Sequence, residues 1–308
     1  MSLNPITTTD TIRNRYIKYL QSMFSLKDKE LALQASSLLD KENKFTRGPY
    51  IEITPPFVAG KSINDLIDEA VLAQDFQKLN QNELPADRPL FLHQEQAVKK
   101  MVSEEKNLVV ATGTGSGKTE CFLIPIINYL MRQKEESGSI RPGVRALLLY
   151  PMNALANDQL ARLRKLLDSY PEITFGRYTG ETAEYEDKAL QNFYSMYPGE
   201  KRLNNELISR EEMRERPPHL LLTNYAMLEY LLLRPEDNTF FDGEFADEWR
   251  FIVLDEAHTY TGAKGTELSM LISRLKERIL KKDSQTLRCV ATSATLGSES
   301  QHPEVALF

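Results

Sequence analysis

Apolar positions near the start of the chain recur at three- and four-residue intervals. Ile12, Tyr16, Ile17, Leu20, Met23 and Phe24 predict a helix with one apolar face. Ser62 and Asp65 have the spacing of a variant capping box, opening a second helix with the stripe Ile63, Leu66, Ile67, Ala70, Val71 and Leu79. Arg47 to Tyr50 and the pair Pro55 and Pro56 break regular structure between them, and Pro85 and Pro89 punctuate the approach to the next segment. Residues 1–89 therefore read as a helical N-terminal extension. From about residue 90 the pattern changes to short apolar runs separated by helical stretches. The runs are Leu108 to Ala111, Ala146 to Tyr150, Ile173 to Tyr178, Leu220 to Thr223, Phe251 to Leu254 and Cys289 to Ala291.

Runs this short and continuous suit strands covered on both faces, with the helices between them as crossovers of a parallel sheet. Residues 90–308 are thus predicted to form an α/β domain with a mainly parallel sheet flanked by helices. Ligands of such sheets bind beyond the carboxyl ends of the strands. The long interval 181–218 reads as an insertion, with Ser209 and Glu212 capping a helix that ends before Pro217 and Pro218. Lys27 to Glu30 reads as solvated surface or loop.

Composition narrows the classes. The 41% hydrophobic and 27% charged residues are those of an ordinary globular protein. The longest apolar run, Cys121 to Met131, is interrupted by Pro125 and Asn128 and is shorter than a membrane span. Neither a membrane segment nor a secretory signal is expected, and a cytoplasmic location is. Two cysteines, Cys121 and Cys289, sit in apolar segments as small buried thiols. The net charge of -6 excludes a histone-like basic coat but leaves a local basic groove open.

Directly after the run ending at Ala111 comes Thr112-Gly-Thr-Gly-Ser-Gly-Lys-Thr119, followed by the helical stretch from Cys121. Strand, glycine-rich turn and helix in that order are the setting of a phosphate-binding loop. Gly115 and Gly117 let backbone N–H groups curl inward at phosphate oxygens, Lys118 reaches the β- and γ-phosphates, and the Thr119 hydroxyl ligates Mg²⁺. Thr112 stands where the strict motif has its first glycine, and Pro125 is expected to end or bend the following helix. A second strand, Phe251 to Leu254, ends in Asp255 and Glu256. Beside a phosphate loop, Asp255 can hold Mg²⁺ and Glu256 can deprotonate the attacking water.

Asp255-Glu-Ala-His258 and Thr112 to Thr119 resemble motifs II and I of superfamily 2 helicases of the DEAH-box kind, and Ser293, Ala294 and Thr295 resemble motif III. Tyr150 to Ala156 resembles motif Ia, Tyr178 to Gly180 the small glycine motif and Thr223 to Leu228 motif Ib. Phe91 to Gln94 resembles the adenine-reading segment. The likeness covers roughly residues 90 to 297 and is nearest the large bacterial helicases of the YprA/MrfA and Lhr-like group, whose members repair DNA or serve phage defence.

The resemblance implies a RecA-like P-loop NTPase domain that binds ATP and Mg²⁺. Gln94, Thr114, Gly115, Ser116, Gly117, Lys118, Thr119 and Glu120 would hold the nucleotide, and Thr119 and Asp255 the metal. Glu256, Asp255 and Lys118 would carry catalysis, and His258, Ser293, Ala294 and Thr295 would couple nucleotide state to grip on nucleic acid. Pro151, Asn153, Ala154, Thr179, Gly180, Thr223 and Asn224 would hold the sugar-phosphate backbone through N–H groups and small polar side chains, which needs little net positive charge. The partner is expected to be DNA, with RNA also open. Such motors close ATP between two RecA-like domains, and the sequence ends at Phe308, soon after Thr295, so a second domain is expected from a longer chain or a partner subunit. The alternative is a nucleotide-dependent nucleic-acid clamp or assembly module that does not translocate. His93, His219 and His302 lack the spacing of metal ligands, the aromatics Tyr185, Phe193, Tyr194 and Tyr197 read as packing, and Trp249 as a core or edge anchor.

Overall fold

The computed structural model describes residues 4–41, 56–113, 115–280 and 286–294. It divides into two compact units, residues 1–56 and 57–308.

In the first unit, α1 (Pro5–Met23) starts at Asn4, whose side chain accepts from the N–H groups of Ile6 and Thr7. A second helix, α2 (Lys29–Asp40), follows where the charged run had read as surface or loop. Asp28 caps it by accepting from the N–H groups of Glu30 and Leu31, a use of a charged residue that composition alone hides. Of the apolar positions on α1, Ile17 is buried, whereas Ile12, Tyr16, Met23 and Phe24 are exposed.

The second unit opens with β1 (Ala59–Ser62), antiparallel to β2 (Pro89–Phe91), and with α3 (Ile63–Asp68). The Ser62 and Asp65 capping box forms as expected: Asp65 N donates to Ser62 Oγ at 3.1 Å and Ser62 N to Asp65 Oδ2 at 2.8 Å. The helix nevertheless stops after six residues and does not run on to Leu79. Ala70 takes a left-handed φ of 58°, the N–H groups of Val71 and Leu72 turn back to Leu66 O, and a 3₁₀ turn at Gln74–Lys78 leads to Leu79, the last residue of the stripe. Residues 57–89, read above as part of the extension, bury Leu66, Leu72, Phe76 and Leu79 in the same cluster as Phe122 and Ile127.

After β2 come α4 (Leu92–Val102), β3 (Leu108–Ala111), α5 (Lys118–Ser137), β4 (Ala146–Tyr150), α6 (Asn153–Leu167), β5 (Phe175–Arg177), α7 (Glu186–Met196), β6 (Glu206–Leu207), α8 (Arg210–Glu215), β7 (Leu220–Asn224), α9 (Tyr225–Leu233), β8 (Phe251–Leu254), α10 (Gly262–Ile279) and β9 (Arg288–Ser293). Strands β3 to β9 form one seven-stranded sheet of order β3-β9-β8-β4-β7-β5-β6, parallel at every pairing. This is the α/β architecture read from the sequence. All five residues of β4 are buried, and they alternate between two clusters: Ala146, Leu148 and Tyr150 face α5 and α6 residues, Leu147 and Leu149 those of α9 and α10. The interval 181–218 adds α7, an edge strand and α8, capped by Ser209 and Glu212.

One local expectation changes. Helix α5 continues through Pro125 to Ser137, so the proline does not end it; the helix is buried along Cys121 to Met131, and tertiary packing holds it where the missing N–H alone would break it. Trp249 is a core residue, stacked on Phe241 and donating Nε1–H to Phe240 O at 2.9 Å. Cys121 and Cys289 are free and buried as expected, and burial pushes the Cys121 thiol up to about 12.

Two buried polar residues brace the unit. Asn128 on α5 accepts from Ala73 N at 2.7 Å, tying the leading segment to the sheet's helices. His219 accepts from Thr174 N through Nδ1 at 2.9 Å, while Nε2 lies 3.0 Å from Arg141 O and donates to it, so the ring is held neutral. Burial depresses its pKa to about 3.

Asn128→Ala leaves the buried Ala73 N–H unpartnered and is expected to destabilise the unit by about 1–3 kcal/mol, read as a lower denaturation midpoint. His219 is neutral when folded and protonates when unfolded below about 6.5, so stability falls as pH drops from there toward about 3. Denaturation midpoints across that range check this, and His219→Gln flattens the slope.

Candidate nucleotide and nucleic-acid site

The carboxyl edge of the sheet divides into two halves. One is made by β3, β9 and β8, the other by β4, β7 and β5.

In the first half the chain leaves β3 at Thr112, whose N–H donates to Ser293 O of the neighbouring strand at 3.2 Å. Gly115 and Gly117 have φ of 75° and 72°. A side chain at Gly117 is excluded by contact as well as by φ, since its Cβ would fall 2.2 Å from Gln94 Nε2 and 2.9 Å from Glu120 Oε2. Gln94 holds the loop from below: it accepts from Phe91 N at 2.8 Å and donates to Gly117 O at 2.9 Å. His93 adds a contact of 2.9 Å between Nε2 and Ser116 O. Ser116 is fully buried, and its hydroxyl meets that of Thr112 at 2.6 Å. Thr112 therefore does a job a glycine could not, closing the loop's base side chain to side chain. Lys118 folds back, with Nζ 3.2 Å and 3.3 Å from the carbonyls of Thr112 and Gly113. Glu120 is turned into the protein, its Oε1 2.5 Å from Arg162 Nη2. Thr114 lies outside the described residues.

The acids lie two strands away. Asp255 is buried, and burial raises its pKa despite the Thr292 hydrogen bond. Glu256 follows in a left-handed conformation, φ 49° and ψ 49°, uncommon for a residue with a side chain. Thr292 of β9 holds both: its hydroxyl donates to Asp255 Oδ1, and its oxygen accepts from Glu256 N at 3.2 Å. Thr259 adds N–H and hydroxyl bonds to Glu256 O at 2.9 Å and 2.8 Å. His258 Nδ1 lies 3.2 Å from Ser293 Oγ and 3.3 Å from Glu256 Oε2, an oxygen that is buried without a hydrogen bond. Ala294 is half-buried at the end of β9, and Thr295 lies outside the described residues.

These residues fit a magnesium nucleotide. Among the described residues no cluster of His, Cys, Asp and Glu could hold a metal by itself. Mg²⁺ in phosphoryl-transfer sites takes one or two carboxylates and completes its shell with substrate phosphates and water. A buried, destabilised Asp255 beside a Glu256 oxygen without a donor is a donor set that such a cation would satisfy. Thr119 is the second residue of α5, directly after Lys118 at the loop's exit.

The second half carries the polar strand ends. Asn224 caps α9 by accepting from Met227 N at 2.8 Å and donates to Asn153 Oδ1 at 2.7 Å. Asn153 Nδ2 donates in turn to Glu181 Oε1 at 2.9 Å. Thr223 and Thr179 are fully buried, Thr223 Oγ1 donating to Tyr178 O and Thr179 Oγ1 accepting from Glu181 N at 3.4 Å, so their side chains serve the fold. Gly180 and Ala154 are exposed, and Pro151, Asn153 and Asn224 are partly so. Three segments far apart in sequence thus meet on one edge.

Sequence reasoning missed Thr292, Thr112 as a brace, and His93. For Thr292 the only signal was its place one residue before Ser293 on a strand pairing with β8, which register alone reveals.

Comparison with known proteins gives the lineage. A protein-family model described as DEAD/DEAH box helicase matches residues 91–302. The chain is 33% identical to Druantia protein DruE of Escherichia coli over 94% of its own length and 20% of that protein. It is 27% identical to the uncharacterized ATP-dependent helicase YprA of Bacillus subtilis over 90% of its length and 31% of that one. The crystal structure of the DUF1998 helicase MrfA bound to DNA and AMPPNP aligns with a TM-score of 0.53 at 26% identity, covering 74% of this chain and 27% of MrfA. The chain therefore spans only a fifth to a third of the length of these two curated relatives.

Thr292→Val keeps the shape and removes both hydroxyl contacts. It is expected to cost about 1.5–3 kcal/mol of the affinity that Mg²⁺ adds to nucleotide binding, the worth of a hydrogen bond to a charged group, while Thr292→Ser retains it. Nucleotide titrations with and without Mg²⁺ check this; an equal loss in both would count against the role.

Proposed function

Since the chain belongs to the DEAD/DEAH box helicase family, we propose that it is the first motor domain of a superfamily 2 DNA helicase or translocase, binding and hydrolysing ATP to drive movement on nucleic acid. The motor motifs lie within residues 90–308; residues 57–89 pack into the same core, and residues 1–56 form the unit that precedes them in sequence. The observation that carries the reading is the attachment of both chemical halves to one strand. Ser293 O receives the phosphate loop's Thr112 N–H, while Thr292 and the Ser293 hydroxyl contact Asp255, Glu256 and His258.

In this mechanism the loop amides and Lys118 neutralise the phosphates, and Lys118 leaves the carbonyls of Thr112 and Gly113 to do so. Gln94, braced against Gly117 O, meets adenine, and Glu120, paired with Arg162, fixes the first turn of the helix that follows the loop. Thr119 and Asp255 would hold Mg²⁺, which would supply charge stabilisation to the transferring phosphoryl group. Glu256 accepts the proton of the attacking water. His258, Ser293, Ala294 and Thr295 relay loss of the γ-phosphate to the second half of the edge, where Pro151, Asn153, Ala154, Gly180 and Asn224 grip the strand and the buried Thr179 and Thr223 hold their segments in place.

DNA as the partner is supported by the DNA-bound state of MrfA, and phage defence or DNA repair in the cytoplasm by the group resemblance. No helix among the described residues is long and apolar enough to cross a membrane. A second RecA-like domain, from a longer chain or a partner, would supply the arginine fingers; the greater length of the relatives supports it.

Two outcomes are expected. The 308-residue chain binds ATP but hydrolyses it feebly, because arginine fingers contribute about 10³–10⁵ in rate. In the complete protein, Glu256→Gln abolishes turnover while sparing ATP binding. Equal inactivity of mutant and wild type would leave a nucleotide-dependent clamp in place of a motor, and brisk hydrolysis by the chain alone would remove the need for the second domain.

A further inference from the structure

Beyond the strand-end loops lies a pocket of about 340 Å³ that the motor chemistry does not use. It sits at the β6 edge, across the whole sheet from the phosphate loop, where α7 of the insertion closes over α6. Leu160, Ala189, Phe193 and Leu207 make apolar walls. Its volume is within the range of small-molecule sites.

The charges of the pocket are already matched. Arg164 forms a two-pronged pair with Glu206, at 2.8 Å and 2.7 Å, and lies over the rings of Tyr197 and Phe193 at 4.2 Å and 5.1 Å. Arg177 donates to Asn157 Oδ1 and to Glu181 Oε2. With each arginine neutralised by a carboxylate, the interior offers no net charge to a phosphate. It suits a neutral, flat group with apolar faces and a polar rim, and the exposed Asn192 and Ser195 at the mouth present an amide and a hydroxyl.

The rim joins the expected strand path. Glu181 lines the pocket and accepts from Asn153, which accepts from Asn224, so a continuous hydrogen-bonded chain runs from β7 to the mouth. Gly180 beside it is exposed, with open space where a side chain would stand. A sugar-phosphate backbone lying on these strand ends would carry its bases past the opening. We infer that the pocket receives one unstacked base of the bound single strand, seated against the apolar walls with its polar edge toward Asn192 and Ser195. This rests on the nucleic-acid path proposed above and adds what that path lacks, a fixed register between protein and strand.

The test walks a single abasic site along a single-stranded oligodeoxynucleotide and measures binding to the chain saturated with a non-hydrolysable ATP analogue. One position is expected to lose affinity by roughly tenfold, within the range that stacking one base supplies. Ser195→Trp, at an exposed position, plugs the mouth; the intact oligonucleotide should then bind as weakly as the abasic one binds wild type, and the positional dip should vanish. A flat scan with intact binding overturns the pocket and leaves the strand path standing, and so does a dip that survives Ser195→Trp. Absence of any single-strand binding overturns the strand path itself. Competition by free nucleoside together with a flat scan would assign the pocket to a diffusible ligand and overturn its use by the strand.

Discussion

The register of β9 between β3 and β8 is the constraint on which the site depends. Ala111 lies opposite Ser293, so β3 and β9 end level, and Leu254 lies opposite Ala291, so β8 ends two residues earlier and its continuation, Asp255 and Glu256, comes alongside Thr292 and Ser293. Because side chains alternate across a strand, a slip of one residue would turn Thr292 to the other face and remove the hydroxyl that touches both acids. The ladder is also what allows a phosphate loop and a carboxylate pair, far apart in sequence, to be set without direct contact between them. Each is bonded to β9, and the core on both faces holds β9 in place. The strain at Glu256 belongs to the same arrangement. A left-handed residue costs about 1–2 kcal/mol, and here it is offset by bonds to its N–H from Thr292 and to its carbonyl from Thr259. That turn lifts the Glu256 carboxylate away from the strand axis and toward His258.

Much of this was legible because its causes are local. Five-residue β4 reads correctly since every residue is buried, and a continuous apolar run admits few alternatives. The capping boxes at Ser62 and Ser209 read correctly because they involve only a serine and an acid three residues on. The failures share a different cause. The stripe from Ile63 to Leu79 has helical spacing, yet Asn128 and the sheet's helices capture its second half and impose a 3₁₀ turn; tertiary contact overrode period. Pro125 misled in the same way. Thr292, His93 and the Asn224–Asn153–Glu181 chain were invisible because each depends on strand order, which no local pattern encodes.

The two halves of the carboxyl edge also reconcile the proposed nucleic-acid motor with a negative net charge. The nucleotide half concentrates its positive potential in one lysine and a set of backbone amides, and the other half offers asparagines, a glycine and a proline. Three arginines near it are already paired: Arg164 with Glu206, Arg177 with Glu181 and Arg214 with Asp237. A grip built from neutral donors holds the strand by geometry more than by field, and such contacts release few counterions. Binding of this kind can be switched by displacing strand ends through a fraction of a hydrogen-bond length. A grip built on long-range charge would scarcely register so small a movement, which is why a motor that must let go at every step gains from having little of it.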